Sequence, residues 1–258
     1  MKAVWISSLA VNEEEVSKLL QKLKTYGLDA SGHQWSEDNQ AMTWMGARDR
    51  ICAADCVFWA IMGSSEALRK PEIRYGLSLL ALCAQARRGT AFPVVVLQTD
   101  AAPLTIEDLP TPLQHAVIFS ASDSGTPAKL VAKAHARVPD LQAPYYFDMV
   151  GDPQLGQWFE VRPTQGTWPG IIFGVDAGEI KFQAVGPAGS LPTTSTLNYP
   201  MQGIKLSLGE AEFTAWATRN EVSPDTAYFI KVEGFPKTLL FGAFSEESEA
   251  EMYVIKLQ

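Results

Sequence analysis

Cysteine is scarce in this 258-residue chain, which holds Cys52, Cys56 and Cys83 and no others. So sparse and odd a set gives no disulfide framework and suits a compartment where thiols stay reduced. Positive charge is also in deficit: 21 Lys and Arg stand against 29 Asp and Glu, a formal charge of −8. That balance leaves no basic footprint for nucleic acid or an anionic membrane, and neither is expected as a partner. No stretch approaches the ~18 consecutive apolar residues of a membrane span. The opening MKAVWISSLAVNEEE has too short an apolar run and no small-residue cleavage site for a signal peptide, so a cytoplasmic protein is expected. There is no G-x-G-x-x-G after the first strand and no G-x-x-x-x-G-K-[ST] anywhere, which removes support for a dinucleotide-type Rossmann site and for a P-loop. His33, His115 and His135 are scattered. Cys52 and Cys56, four apart, have no second pair to complete a metal set, so no metal is expected.

What is present is core material, with 47% hydrophobic residues, and an uneven distribution of charge. Residues 1–140 carry 14 basic and 15 acidic side chains, net −1, whereas residues 141–258 carry 7 and 14, net −7. The rhythm of the sequence changes at the same place, between Pro139 and Pro144. Two domains are expected, 1–140 and 145–258.

The first alternates strand and helix. Val4-Trp5-Ile6-Ser7 is a short β-rich run, followed by Asn12 and Glu15 at capping-box spacing. Val16, Leu19, Leu20 and Leu23 share a helical face that Gly27 closes. Leu28 to Trp35 reads as a second strand, Ser36 to Met42 as a polar loop, and Trp44 to Ala54 as a helix. Cys56 to Met62 is a continuous apolar run, as expected of a strand covered on both faces. Pro71 to Arg87 is a strong helix, Phe92 to Leu97 and Ala116 to Ser120 are strands, and a last helix runs from about Thr126 to Arg137. Strands separated by helices of this length predict a doubly wound, mainly parallel sheet of flavodoxin-like type. Ligands in such sheets gather at the carboxyl ends of the strands. This directs attention to Ser7 and Ser8, the loop from Ser36, and Gly63-Ser64-Ser65.

These residues resemble a family. Val-Trp-Ile-Ser-Ser at the first strand, Ala53-Ala54-Asp55-Cys56-Val57 entering the third, its exit into Gly63-Ser64-Ser65, and Pro71-Glu72-Ile73 at a helix start are together similar to a bacterial TIR domain. Many TIR domains hydrolyse NAD+ with a Glu in a Glu-[Leu/Ile]-x-x-[Ala/Gly] motif. The matching segment here is Glu72-Ile73-Arg74-Tyr75-Gly76, so the resemblance implies Glu72 as the catalytic carboxylate and NAD+ as substrate, with no separate cofactor. A shifted register would set Gly76 at the Glu position instead, but the Glu72 register also keeps the Ile and the small Gly76 in place. The chain departs from the family in having Ser8 where Tyr is usual, and Leu68-Arg69 in place of a Trp-Cys. Nucleoside deoxyribosyltransferases, related in fold, carry a similar Glu-Ile-x-Tyr helix start, and an enzyme of that type is an alternative. A TIR-like interaction module without turnover is another. The resemblance also implies self-association into a homo-oligomer and a role in bacterial defence or as an effector.

The chemistry asks for little more than a fixed anion. Nicotinamide leaves as a neutral molecule, and what needs stabilising is the positive charge developing on the ribose. Pro71 places Glu72 in a first helical turn, where the helix dipole favours an ionised carboxylate. Ser7, Ser8, Ser64 and Ser65 at strand ends are candidates for hydrogen bonds to ribose or phosphate. Trp35 could stack on a ring, and Arg74 could meet the pyrophosphate. From Trp158 onward, eight short β-rich runs separated by turns predict an all-β antiparallel sandwich or barrel, with Asp176-Ala177-Gly178 as a tight hairpin. Its acidity points to a binding or regulatory module for an unknown trigger or partner.

Overall fold

The computed structural model describes residues 2–9, 12–139, 141, 143–244 and 251–258. The chain divides into two compact units, Met1–Leu141 and Gln142–Gln258.

The first unit is built on five parallel strands: β1 (Lys2–Leu9), β2 (Leu28–Gln34), β3 (Cys56–Gly63), β4 (Val94–Gln98) and β5 (Val117–Ser120). They lie in the order β2-β1-β3-β4-β5, a flavodoxin-like arrangement in which the chain reverses its direction of growth between β1 and β3. Five helices connect and cover them: α1 (Glu13–Thr25), α2 (Arg48–Cys52), α3 (Ser65–Arg69), α4 (Pro71–Arg88) and α5 (Thr126–His135). Local sequence explains their ends. The Asn12 side chain accepts a hydrogen bond from Glu14 N at 2.9 Å, and Glu13, Glu14 and Glu15 fill the first turn of α1, complementing its dipole. Pro71 opens α4, and Gly89, at φ 88°, follows its last turn.

Alternation along the strands sorts the side chains. Val4, Ile6, Ala30, Phe58, Ala60, Val95 and Leu97 form one core with Leu23 of α1 and Leu130 and Ala134 of α5. Trp5, Ser7 and His33 point to the other face, where Trp5 and His33 meet edge to face at 5.6 Å and His33 meets Trp35 at 5.8 Å. A helix over Trp44–Ala54 is replaced by a 3₁₀ turn, Thr43–Ala47, running into the short α2. Met42 enters this turn in the left-handed region and Gly46 lies within it. The tighter path buries Trp44, Ala47 and Ile51, while Ala54 lies outside, exposed.

Among its described residues the second unit has nine strands: β6 (Tyr145–Met149), β7 (Gln157–Pro163), β8 (Ile171–Val175), β9 (Glu179–Pro187), β10 (Met201–Leu208), β11 (Ala211–Thr218), β12 (Thr226–Glu233), β13 (Thr238–Ala243) and β14 (Met252–Lys256). They form two antiparallel sheets, β6-β7-β12-β9 and β10-β11-β8-β13-β14, a β-sandwich. Aromatic rings from both sheets meet between them: Phe147 and Phe241 at 5.2 Å, and Phe159 and Phe173 at 6.1 Å. The expected hairpin at Asp176-Ala177-Gly178 is not one, because β8 and β9 belong to different sheets. This turn instead carries the chain across the sandwich. The Asp176 side chain secures it by accepting from Lys237 N and Thr238 N at 2.9 and 3.0 Å. Gly178 has φ +80°, and a Cβ there would sit 2.5 Å from the Glu233 carbonyl oxygen.

On the opposite face of the four-stranded sheet, Asp148 and Glu160 stand directly across from each other on β6 and β7. Glu160 is fully buried; its Oε1 accepts from Arg162 Nε at 3.2 Å and from Gly189 N at 3.0 Å. The Arg162 guanidinium in turn lies 3.9 Å from the Tyr146 ring centroid.

Because Phe241 is wholly buried and touches rings of both sheets, Phe241→Ala should lose about 3–5 kcal/mol from the stability of the β unit. Denaturant titration of the full chain reads this as an earlier midpoint for the transition of that unit.

Candidate functional site

A parallel sheet ends in backbone groups that its own ladder no longer pairs, and the loops that leave it diverge where the strand order reverses. Between the carboxyl ends of β1 and β3 lies an open cleft of about 440 Å³ lined by Leu9, Asn12, Glu15, Ser64, Glu66, Ala67, Lys70 and Thr99. Its walls are the start of α1, Glu66 and Ala67 of α3 with the flanking Ser64 and Lys70, and the first residue after β4. Ser64 caps α3, its hydroxyl accepting from Ala67 N at 3.1 Å. Lys70 Nζ lies 3.1 Å from Glu37 Oε1. The cleft thus carries two carboxylates and one ammonium group.

A second cavity, about 370 Å³, lies at the ends of β3, β4 and β5 between α1 and the start of α5. Glu15 and Thr99 line both cavities.

Of the residues singled out from sequence, Ser64 lines the first cleft. Ser7 is fully buried and its hydroxyl accepts from Trp59 Nε1 at 2.9 Å, so it serves the core between β1 and β3. Ser8 is also buried, on the face toward α1, and its hydroxyl meets no hydrogen-bond partner among the described residues. Ser65 donates through both its hydroxyl and its N–H to Asp100 Oδ2, at 2.8 and 3.1 Å, tying α3 to the segment after β4. Hydrogen bonds from Gln98 and from Ser65 hold the Asp100 carboxyl below its ordinary range. Arg74 donates to the Asp108 carbonyl. Its half-buried guanidinium has a lowered pKa, from burial first, with Asp108 opposing and Arg69 adding to the shift.

Trp35 and Glu72 come together, though through other groups. Asn39 Nδ2 donates to the Glu72 backbone carbonyl at 2.7 Å. The same Asn39, with Trp35 and Trp44, packs on Gly76 one turn further along α4. The Trp35 and Trp44 indole N–H groups and Asn39 Oδ1 are buried there without hydrogen-bond partners among the described residues. The Glu72 side chain itself is exposed and lines neither cavity. Gly76 is buried in the helix interior, where the shifted register would have required a catalytic group.

Glu66, Lys70 and Thr99 were not legible as site residues, and Asn12 and Glu15 read only as a helix cap. Their one available signal is position: each follows a strand end closely or opens the next helix. Cys52, Cys56 and Cys83 form no disulfide. Burial pushes the Cys56 thiol up to about 11, away from nucleophilic use near neutrality. Among the described residues no group of three His, Cys, Asp or Glu could hold a metal ion.

A Cβ at Gly76 would lie 2.8 Å from Trp35 Cζ2 and 3.0 Å from Asn39 Oδ1. Gly76→Ala should therefore destabilise the α/β unit by about 1–3 kcal/mol through overpacking. Thermal unfolding followed by tryptophan fluorescence would show a lower midpoint, and an unchanged one would mean that the tryptophan pair yields freely. In comparisons with known proteins, no family model and no curated protein matches this chain.

Proposed function

We propose that the α/β unit hydrolyses the nicotinamide–ribose bond of NAD+, as the TIR enzymes it resembles do, with the ribosyl end in the cleft between β1 and β3. The observation that carries this reading is that Glu15 and Glu66 both line that cleft, against the single ammonium group of Lys70. Glu72 stands outside it, so the anion facing the sugar is assigned to the cleft pair and not to the family position. The substrate supports the same choice. A nicotinamide riboside is cationic before the reaction, and its ribose carries the positive charge as C1′–N cleavage proceeds. Two carboxylates in a recess favour both states, and favour the second more as the charge concentrates on the ring oxygen and C1′. The bonding pair departs with nicotinamide nitrogen, and water adds to C1′ and releases its proton to a carboxylate or to solvent. Self-association through this unit and a triggering partner for the β unit belong to the same proposal.

One observation favours the reading without turnover: an exposed Glu72 at the start of α4 is as well placed to meet a partner as to meet a substrate. Nicotinamide release, separated by liquid chromatography and measured at increasing protein concentration, decides. Glu15→Gln or Glu66→Gln should slow release about 10²–10³-fold, while Glu72→Ala stays within about threefold of wild type by the same reasoning. Absence of release by the wild type at every concentration, or a loss confined to Glu72→Ala, overturns the assignment.

A further inference from the structure

The second cavity differs in character from the cleft. Its floor is apolar: Met62 and Leu97 end β3 and β4, Leu19 comes from α1, and Pro127 from the first turn of α5. The exposed Ser122 and Ser124 bring hydroxyl groups to its edge, whereas the Thr126 hydroxyl is buried and donates to the Ser120 carbonyl at 2.7 Å. Lys18 and Lys22 reach it from successive turns of α1. Like charges four residues apart on a helix repel each other. Lys18 offsets this with Glu14 at 2.7 Å, but Lys22 has no ion pair among the described residues. Two acids share the lining: Asp123 is held by Lys129 at 2.7 Å, and Glu15 stands at the start of α1, about two turns before Lys22. An apolar slot of this size, rimmed by hydroxyls and with an unmatched ammonium group at its mouth, matches a flat ring attached to an anion.

We propose that this cavity binds a nucleoside 5′-phosphate, either free or as one half of a dinucleotide. The base lies against the partly exposed Leu19 and Ala121, above the buried Met62, Leu97 and Pro127, where its π-face loses water against apolar groups. The ribose meets the hydroxyl edge, and the phosphate sits against Lys22, with Lys18 beside it. The phosphate also resolves the repulsion along α1. The site does not depend on hydrolysis. A chain that binds the nucleotide yet releases no nicotinamide refutes the preceding function and leaves this site standing.

The test is equilibrium titration of the full chain with AMP, and separately with NAD+, by calorimetry in low salt. Wild type should bind AMP, and Lys22→Glu should weaken it about tenfold or more. Ala121→Trp, which fills the cavity from the end of β5, should abolish binding while the circular dichroism spectrum stays native. Adenosine should bind more weakly than AMP and equally well to wild type and Lys22→Glu. Should NAD+ bind as AMP does, the site takes the adenylate half of a dinucleotide; should it fail where AMP binds, the free mononucleotide is the ligand. No AMP binding by wild type, or equal AMP binding by wild type and Lys22→Glu, overturns the proposal. Undiminished binding by natively folded Ala121→Trp overturns it as well.

Discussion

β1 is hydrogen-bonded along both of its edges, with β2 on one side and β3 on the other, and all three run in the same direction. That constraint organises the α/β unit. A central parallel strand cannot pass directly to either neighbour; each connection must cross a face of the sheet and return. The chain leaving β1 enters α1 on one face, while the chain leaving β3 enters α3 and α4. The two paths part above the strand ends, and the space between them is the cleft. Its chemistry is then set by what the two departing segments carry, Asn12 and Glu15 on one side and Ser64, Glu66 and Lys70 on the other.

The elements of this unit were legible because their physics is local. Continuous apolar runs at Cys56–Met62 and around Val94 mark strands buried on both faces. Asn12, Pro71 and Gly27 punctuate helices by known mechanisms. Where the reading failed, a tertiary term prevailed. Trp44 and Ile51 have helical spacing, yet burying both against α4 required a 3₁₀ turn entered through Met42. Tyr145–Met149 is a strand that begins directly after Pro144, where the change of rhythm between Pro139 and Pro144 reads as a domain boundary and masks it. Asp176-Ala177-Gly178 has the composition of a hairpin turn, and composition does not say whether the strands on either side pair with each other.

The candidate site was less legible than the fold, for a related reason. A short motif fixes which residue opens a helix; which cavity its side chain enters depends on the neighbours that arrive from elsewhere. Glu72 opens α4 as its motif indicates, but Asn39 and the two tryptophans close over the inner side of that turn and leave the carboxylate outside. Glu15 belongs to a capping pattern that speaks only of a helix start, and Glu66 to no motif. They become neighbours of one recess only because β1 and β3 are adjacent in the sheet although more than fifty residues separate them in sequence.

The turn at Asp176–Gly178 has its own implication for how the β unit comes to exist. By carrying the chain from the β8 sheet to the β9 sheet, it gives both sheets strands from early and late parts of the segment. β12 must arrive before β7 and β9 have a shared neighbour, and β13 before β8 is paired on its second edge. Among the described residues, four of the seven strand pairings, β7–β12, β9–β12, β8–β11 and β8–β13, join strands that are not consecutive in the chain, and the five-stranded sheet is complete only with β14. Such a topology assembles slowly and in one cooperative step. During synthesis, the unit remains without a finished core until its last strands have emerged.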